Sequence, residues 1–144
     1  MADVVDKATR SRMMAGIKGK NTKPELIVRS FLHRAGFRYR LHDSRFPGKP
    51  DLVLKRYRTV VFVHGCFWHQ HANCSKASMP SSNSKFWKSK LLGNVERDAR
   101  NRRTLVRAGW KVHVVWECDL SDAKLGGLAK KMQAHLEKIV AQAQ

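Results

Sequence analysis

Residue types that bind metals or transfer protons are concentrated in one short stretch, His64 to Cys74. It contains three histidines and two of the chain's three cysteines. Three thiolates and one imidazole form the donor set of a closed, tetrahedral zinc site. The sequence therefore predicts structural zinc, with the ligands Cys66, His71, Cys74 and Cys118.

Two alternatives to this zinc site stay open from the sequence. His69 could replace His71 as the nitrogen ligand, or the three cysteines could be unrelated buried residues. We favour zinc because the segment Gly65 to Asn83 is long and irregular, and needs something to hold it together. Three cysteines cannot form a closed set of disulfides, which also favours a metal and a reducing compartment.

A second group of residues could carry out hydrolysis. Asp51 stands at the head of a predicted hairpin, where a carboxylate can hold Mg²⁺ against a phosphate. Asp98, on a predicted helix, could orient His69 as a general base that activates water. The simpler alternatives are that Asp51 is a turn residue, and that one of seven histidines meets an aspartate by chance.

Large aromatic residues lie inside and just after the metal-rich stretch. Phe67 and Trp68 precede His69, and Phe86 and Trp87 follow the irregular segment. In a very basic protein such side chains could stack on DNA bases or insert between them. The alternative is that they are core aromatics, and this is the better expectation for Phe86.

The charge balance indicates a polyanionic partner. Lys and Arg outnumber Asp and Glu by 29 to 11, which gives a formal net charge of +18. Nucleic acid is the usual partner of such a protein. An anionic membrane is the rival, but the sequence has no long apolar span, no basic amphipathic anchor and no signal peptide at its start. We therefore expect a cytoplasmic protein that does not bind membranes.

The sequence predicts a basic arm, residues 1–21, followed by a single domain, residues 22–144. The arm has no apolar periodicity and carries Met14 among basic residues. We expect it to contact the partner, and a frayed terminus is the alternative. The basic residues of the arm include Arg10, Arg12 and Lys18.

Periodicity and capping signals predict an α/β domain with a mixed (α+β) sheet flanked by helices. Thr22-Lys23-Pro24-Glu25 fits a capping box at the start of a helix that ends near Ala35. A short strand, a hairpin, a helix capped by Ser84, a strand and a last helix follow; Gly93 could interrupt the second helix. Their predicted ranges are 37–41, 51–55 with 59–64, 84–108, 110–117 and 123–141.

Several longer motifs stand in order along the chain: Pro47-Gly48-Lys49-Pro50-Asp51, His64-Gly65-Cys66-Phe67-Trp68-His69, Asn94-Val95-Glu96-Arg97-Asp98 and Val115-Trp116-Glu117-Cys118. With the opening Asp6-Lys7-Ala8-Thr9-Arg10-Ser11 and Met14, they resemble the very short patch repair (Vsr) DNA mismatch endonucleases. The resemblance covers nearly the whole chain, with similar spacing. It implies a restriction-endonuclease-like fold, a variant of the PD-(D/E)xK superfamily in which Phe62 and His64 stand where the usual acid and lysine would be.

The resemblance also implies an activity. The family makes a Mg²⁺-dependent, strand-specific nick in double-stranded DNA, 5′ to the thymine of a T·G mismatch. Such mismatches arise when 5-methylcytosine deaminates, so the family works beside a cytosine-5 methyltransferase. The resemblance further implies a monomer in the bacterial nucleoid, and leaves open whether mismatch-repair proteins take part.

Site roles are carried over from the resemblance. The backbone carbonyl of Val63, which stands where the family commonly has Thr, would join Asp51 in holding Mg²⁺. Zinc would be held by the four ligands above, with a His71–Cys74 gap one residue longer than in the family. The catalytic residues would be Asp51, His69, Asp98, Glu25 and His64. The DNA-contacting residues would be Phe67, Trp68 and Trp87 at the mismatch, Met14 from the other groove, and Arg10, Arg12 and Lys18.

Three other functions remain to be weighed against this one. A nuclease with another DNA target would cut matched duplexes equally well. A zinc-stabilised DNA-binding protein without cleavage would be unaffected by loss of Asp51 or His69. A binder of membrane surfaces or of polyanions in general is disfavoured by the absence of an amphipathic anchor.

Overall fold

The computed structural model describes residues 21–143. The predicted basic arm, with Met14, Arg10, Arg12 and Lys18, therefore lies outside the described residues except for Asn21. Within the described range no helix is long and apolar enough to cross a membrane.

A four-stranded mixed sheet with helices on both faces forms the domain. The strand order is β1-β2-β3-β4; β1 and β3 are antiparallel to β2, and β4 is parallel to β3. The prediction of a mixed sheet flanked by helices is confirmed. The elements are α1 (Lys23–Arg34), β1 (Arg40–Leu41), β2 (Leu52–Leu54), β3 (Thr59–His64), α2 (Ser84–Arg107), β4 (Lys111–Trp116) and α3 (Asp122–Ala143).

The predicted capping signal starts α1. Thr22 is the N-cap, and its hydroxyl accepts a hydrogen bond from the Glu25 N–H at 3.4 Å. Gly36 follows the helix at a φ of +90°, a conformation that glycine adopts without strain. The helix buries Val28 and Leu32 against the sheet.

Each face of the sheet has its own apolar layer. The larger layer joins α1 and α3 to one face, and the smaller layer packs Leu105 of α2 against the other. Alternate residues of β3 serve both layers: Val61 lies in the larger and Val60 in the smaller. The buried residues of α3 are Leu125, Leu128, Met132 and Leu136.

Several predicted boundaries were wrong. The strand expected over 37–41 has only two residues, because Phe37 turns into the core and packs on Tyr57 at 5.0 Å between ring centroids. The hairpin connection contains a 3₁₀ turn, Lys55–Tyr57, followed by Arg58 in the left-handed region. The last strand and the last helix each differ from the prediction by one or two residues at their ends.

The second helix also differs from its prediction. It runs without interruption through Gly93, because one interior glycine costs only about 1 kcal/mol in a helix this long. Its N-cap is Asn83, in the left-handed region, rather than Ser84. Phe86, expected in the core, is 59% exposed because it lies in the first turn of the helix and belongs to neither apolar layer.

The parallel pairing of β3 and β4 determines where the functional residues meet. His64 pairs with Trp116, so the segments that leave the two strands begin side by side. Consequently Cys66 and Cys118, which are remote in sequence, lie at the same edge of the sheet.

Candidate active site and metal centre

An acidic cluster forms where α1, β1 and β2 approach one another. Its members are Glu25, His42 and Asp51, and their potential ligand atoms all lie within 4.8 Å of one another. The Val63 N–H donates to Asp51 Oδ2 at 2.6 Å, so the contact between these two residues is made by the Val63 nitrogen. Burial, with repulsion from Glu25, raises the pKa of Asp51 to about 6 despite that hydrogen bond.

Both carboxylate oxygens of Glu25 contact a neighbouring nitrogen. The Asn21 N–H donates to Oε2 at 2.5 Å, and Nε2 of His42 contacts Oε1. The carboxylate is almost completely buried, at 1% exposure. Oxygen-rich groups of this kind suit a hard divalent cation such as Mg²⁺.

A second group consists of an imidazole paired with a carboxylate, and it lines the same cleft as Asp51. Nδ1 of His69 is 2.6 Å from Oδ2 of Asp98, which leaves Nε2 of the imidazole for other partners. The His64 ring stacks on the His69 ring, with centroids 3.7 Å apart and planes 4° from parallel. Burial, together with the field of His69, lowers the pKa of His64 to about 3. Within residues 21–143, no hydrogen-bond partner is present for the buried Nδ1 of His64.

The structure brings the four predicted zinc ligands together. Their ligand atoms lie within 4.8 Å of one another, and Nδ1 of His71 is 3.6 Å from Cys66 Sγ and 3.3 Å from Cys118 Sγ. His71, not His69, is the imidazole in this group, because His69 turns toward Asp98. Three sulfurs and one nitrogen are the donors of a tetrahedral zinc site.

Local conformation accommodates the long gap between His71 and Cys74. Gln70 and Asn73 both adopt left-handed backbone conformations, which turn the chain tightly on either side of His71. The His71 ring also stacks on Trp116, with centroids 4.1 Å apart. Glu117, which lies between Trp116 and Cys118, is engaged as well: the Cys66 N–H donates to its Oε1 at 3.1 Å.

The aromatic residues predicted to contact DNA form one cluster. Phe67 lies 5.1 Å from Trp68 and 5.5 Å from Trp87, measured between ring centroids, and Trp68 lies 5.9 Å from Trp87. Asn94 of α2 donates to the Trp68 carbonyl at 3.0 Å and so ties the cluster to the helix. All three aromatic side chains are only partly buried.

One cleft of about 1120 Å³ opens onto most of these groups. Its lining includes Asp51, His42, the His69–Asp98 pair, and Phe67 with Trp68. It also carries basic residues, namely Lys23, Lys49, Lys90 and Arg97. A carboxylate that could hold a cation and an imidazole that could act as a general base thus face the same basic opening, which is an arrangement suited to hydrolysing a phosphodiester.

Sequence reasoning missed His42 and the supporting side chains Trp116, Glu117 and Asn94. His42 belongs to no motif, and its place beside Glu25 depends on how β1 packs near α1. Trp116 and Glu117 belong to the motif Val115-Trp116-Glu117-Cys118, but their partners became apparent only from the pairing of β3 and β4.

The fold and the cleft define a nuclease of the restriction-endonuclease-like class. Residues 2–76 match the family described as DNA mismatch endonuclease Vsr. The DNA mismatch endonuclease Vsr of Escherichia coli K12 is 46% identical over 120 residues, 83% of this chain and 76% of that protein. The chain therefore belongs to the Vsr family, and it is a DNA mismatch endonuclease.

Two further relatives are described as nicking enzymes. Type II nicking enzyme V.NmeAIP of Neisseria meningitidis serogroup A is 51% identical over 122 residues, 85% of this chain and 86% of the relative. Type II nicking enzyme V.XorIIP of Xanthomonas oryzae pv. oryzae is 43% identical over 137 residues, 95% of this chain and 98% of the relative. The family and enzyme class predicted from the sequence are confirmed.

Proposed function

We propose that this endonuclease nicks double-stranded DNA 5′ to the thymine of a T·G mismatch, in a Mg²⁺-dependent reaction that initiates very short patch repair of deaminated 5-methylcytosine. The observation that carries the proposal is the shared cleft, which is lined by Asp51 and His42 of the acidic cluster, by the His69–Asp98 pair, and by Phe67 and Trp68 of the aromatic cluster. The names of the relatives, a mismatch endonuclease and nicking enzymes, support it.

In this reaction Asp51 and the backbone carbonyl of Val63 would hold Mg²⁺, with Glu25 beside them. The cation would neutralise charge on the scissile phosphate. His69 takes a proton from the attacking water at Nε2, because Asp98 occupies its Nδ1. Asp98 keeps the ring in one orientation and stabilises the imidazolium that forms.

His64 has a supporting role in the proposal. Its buried ring lies flat against His69 and fixes the plane of the base. The phosphodiester is cut when the water oxygen bonds to phosphorus and one sugar oxygen leaves. His69 then carries the proton that the water has lost.

Mismatch preference would come from the aromatic cluster. A wobble T·G pair unstacks at lower cost than a matched pair, so side chains that wedge beside it bind the mismatch preferentially. Phe67 and Trp68 line the cleft and Trp87 supports them from α2. Zinc on the Cys66, His71, Cys74 and Cys118 group would hold this segment in place.

We also propose that residues 1–21 are a DNA-contacting arm on a single endonuclease domain, 22–144. Met14 would enter the groove opposite the aromatic cluster. Replacing Arg10, Arg12 and Lys18 together by Ala should make the negative slope of log K against log [salt] shallower by about 3, at roughly 0.9 per lost phosphate contact. An unchanged slope would argue against the arm.

The test is a nicking assay on an end-labelled duplex with one T·G mismatch and randomised flanking bases. It uses zinc-loaded protein with Mg²⁺, a matched duplex and Asp51→Asn. We expect one nick, 5′ to the T, that is absent from both controls and from reactions without Mg²⁺. Equal cutting of matched duplex, or full activity of Asp51→Asn, would refute the proposal.

A further inference from the structure

His42 contacts both other members of the acidic cluster, although no motif contains it. It directly follows β1, and its N–H donates to the Asp51 carbonyl at 3.2 Å. Its ring Nε2 contacts Oε1 of Glu25. The imidazole is itself well buried, at 11% exposure against 2% for the Glu25 side chain.

The cluster needs such a donor. Two carboxylates, Glu25 and Asp51, lie close together in a buried site, and buried charges are stable only when they are paired and hydrogen-bonded. Asn21 supplies one N–H to Oε2 of Glu25. The opposite oxygen, Oε1, faces His42, so the carboxylate is clamped between two donors.

We propose that His42 is a positioning residue of the Mg²⁺ site: its Nε2–H donates to Oε1 of Glu25 and holds that carboxylate against Asp51. The inference rests on the proposed function, which places Mg²⁺ at Asp51. His42 acts through Glu25 rather than as a ligand, since its Nε2 is engaged by the carboxylate and Mg²⁺ takes oxygen ligands in preference to imidazole nitrogen. Partners that orient metal-binding groups in this way typically contribute about 10- to 100-fold to metal affinity.

Two substitutions isolate the hydrogen bond. His42→Leu removes the donor, whereas His42→Gln places an amide nitrogen at a similar distance from the backbone. His42 has a φ of +49°, and Leu and Gln carry the same backbone strain there, so their difference reports the donor alone. His33→Leu is the matched control, because His33 is an exposed histidine on α1.

Metal affinity can be measured without catalysis. Tb³⁺ replaces Mg²⁺ at carboxylate sites, and the indole of Trp68, which lines the same cleft, can sensitise its emission. Zinc-loaded full-length protein without DNA is titrated with Tb³⁺, and bound Tb³⁺ is then displaced with Mg²⁺. The midpoint of urea unfolding is recorded for every variant, which separates metal affinity from folding.

His42→Leu should weaken both Tb³⁺ and Mg²⁺ binding about 10-fold or more. His42→Gln should stay within about threefold of the wild type, and His33→Leu should match it. A lower unfolding midpoint for His42→Leu with unchanged metal affinity would overturn the inference, since His42 would then be only structural.

Asp51→Ala separates this inference from the proposed function. If Asp51→Ala loses the Tb³⁺ signal while His42→Leu binds as the wild type does, the role of His42 is refuted and the Mg²⁺ site stands. If Asp51→Ala keeps full affinity, the metal site is misplaced and the inference falls with it.

Discussion

On the proposal that zinc binds the Cys66, His71, Cys74 and Cys118 group, removing zinc should loosen the segment 65–83 and leave the sheet folded. Of these 19 residues only Cys66 is buried. Fixing their backbone costs on the order of 20 kcal/mol at about 1 kcal/mol per residue. The roughly ten hydrogen bonds of the segment, at about 1 kcal/mol each, offset about half of this cost. Zinc bound to such a ligand set contributes about 10–16 kcal/mol, which is the right size to make up the difference.

The sheet should not depend on zinc in the same way. β3 and β4 already pair along six residues, up to His64 and Trp116. A tether between Cys66 and Cys118, each two residues further on, adds little to that pairing. The segment that would gain its order from the metal is the one that carries His71 and Cys74, and it also carries Phe67, Trp68 and His69.

The perturbation is a zinc-selective chelator, with Cys118→Ala as a genetic equivalent and Mg²⁺ kept in excess. Hydrogen exchange followed by mass spectrometry should show faster exchange across 66–78, with 59–64 and 111–116 still protected. Nicking of a T·G duplex should fall at least 100-fold and return when zinc is restored. This reasoning would be refuted if the purified protein lacked one equivalent of zinc. It would also be refuted if the chelated protein kept slow hydrogen exchange across 66–78 and full nicking activity.

The imidazole and aromatic parts of the cleft give three more predictions. Asp98→Asn should lower the single-turnover nicking rate about 10- to 100-fold, because an amide orients the His69 imidazolium poorly, while gel-shift affinity stays the same. Trp68→Ala should reduce the preference for T·G over matched duplex about 5- to 100-fold in competition binding, and an unchanged ratio would contradict the wedge. Burial lowers the pKa of His64 to about 3 in the folded protein, against 6.5 ordinarily. As the pH falls below 6.5, the unfolded chain therefore binds a proton at His64 that the folded protein does not, and the folded protein loses stability. Between pH 7 and pH 5, urea unfolding should therefore show the wild type losing about 2 kcal/mol more than His64→Phe, since the other titrating groups are common to both.

Local rules made much of the fold predictable from the sequence. The capping box, with Gly36 after the helix, located α1 to within a residue at its end. The apolar run before His64 and the alternation that ends at Trp116 identified β3 and β4. These signals depend on neighbours in the chain, so they are visible without tertiary structure.

Features that depend on distant contacts were not predictable. Phe37 leaves its predicted strand for a core position beside Tyr57, and Phe86 is exposed although its type favours burial. The parallel register that places Cys118 beside Cys66 has no local signal; only the count of donors suggested that pairing. His42 was missed for the same reason, since its partner Glu25 is 17 residues away.

Glu25 shows why a correct local interpretation can conceal a second role. Its N–H bonds the Thr22 hydroxyl and its Oε2 accepts from Asn21, so it completes the helix cap. The same carboxylate contacts His42 and faces Asp51. Loss of activity in Glu25→Ala therefore cannot be assigned to the metal site alone, because the side-chain acceptor for the Asn21 N–H is lost too, although the backbone N–H of residue 25 can still donate to Thr22. Thr22→Ala removes only the cap, at about 0.5–2 kcal/mol, and should leave metal affinity within about twofold. A metal affinity that falls in Glu25→Ala but not in Thr22→Ala would show that the carboxylate matters to the metal site beyond any weakening of the helix start.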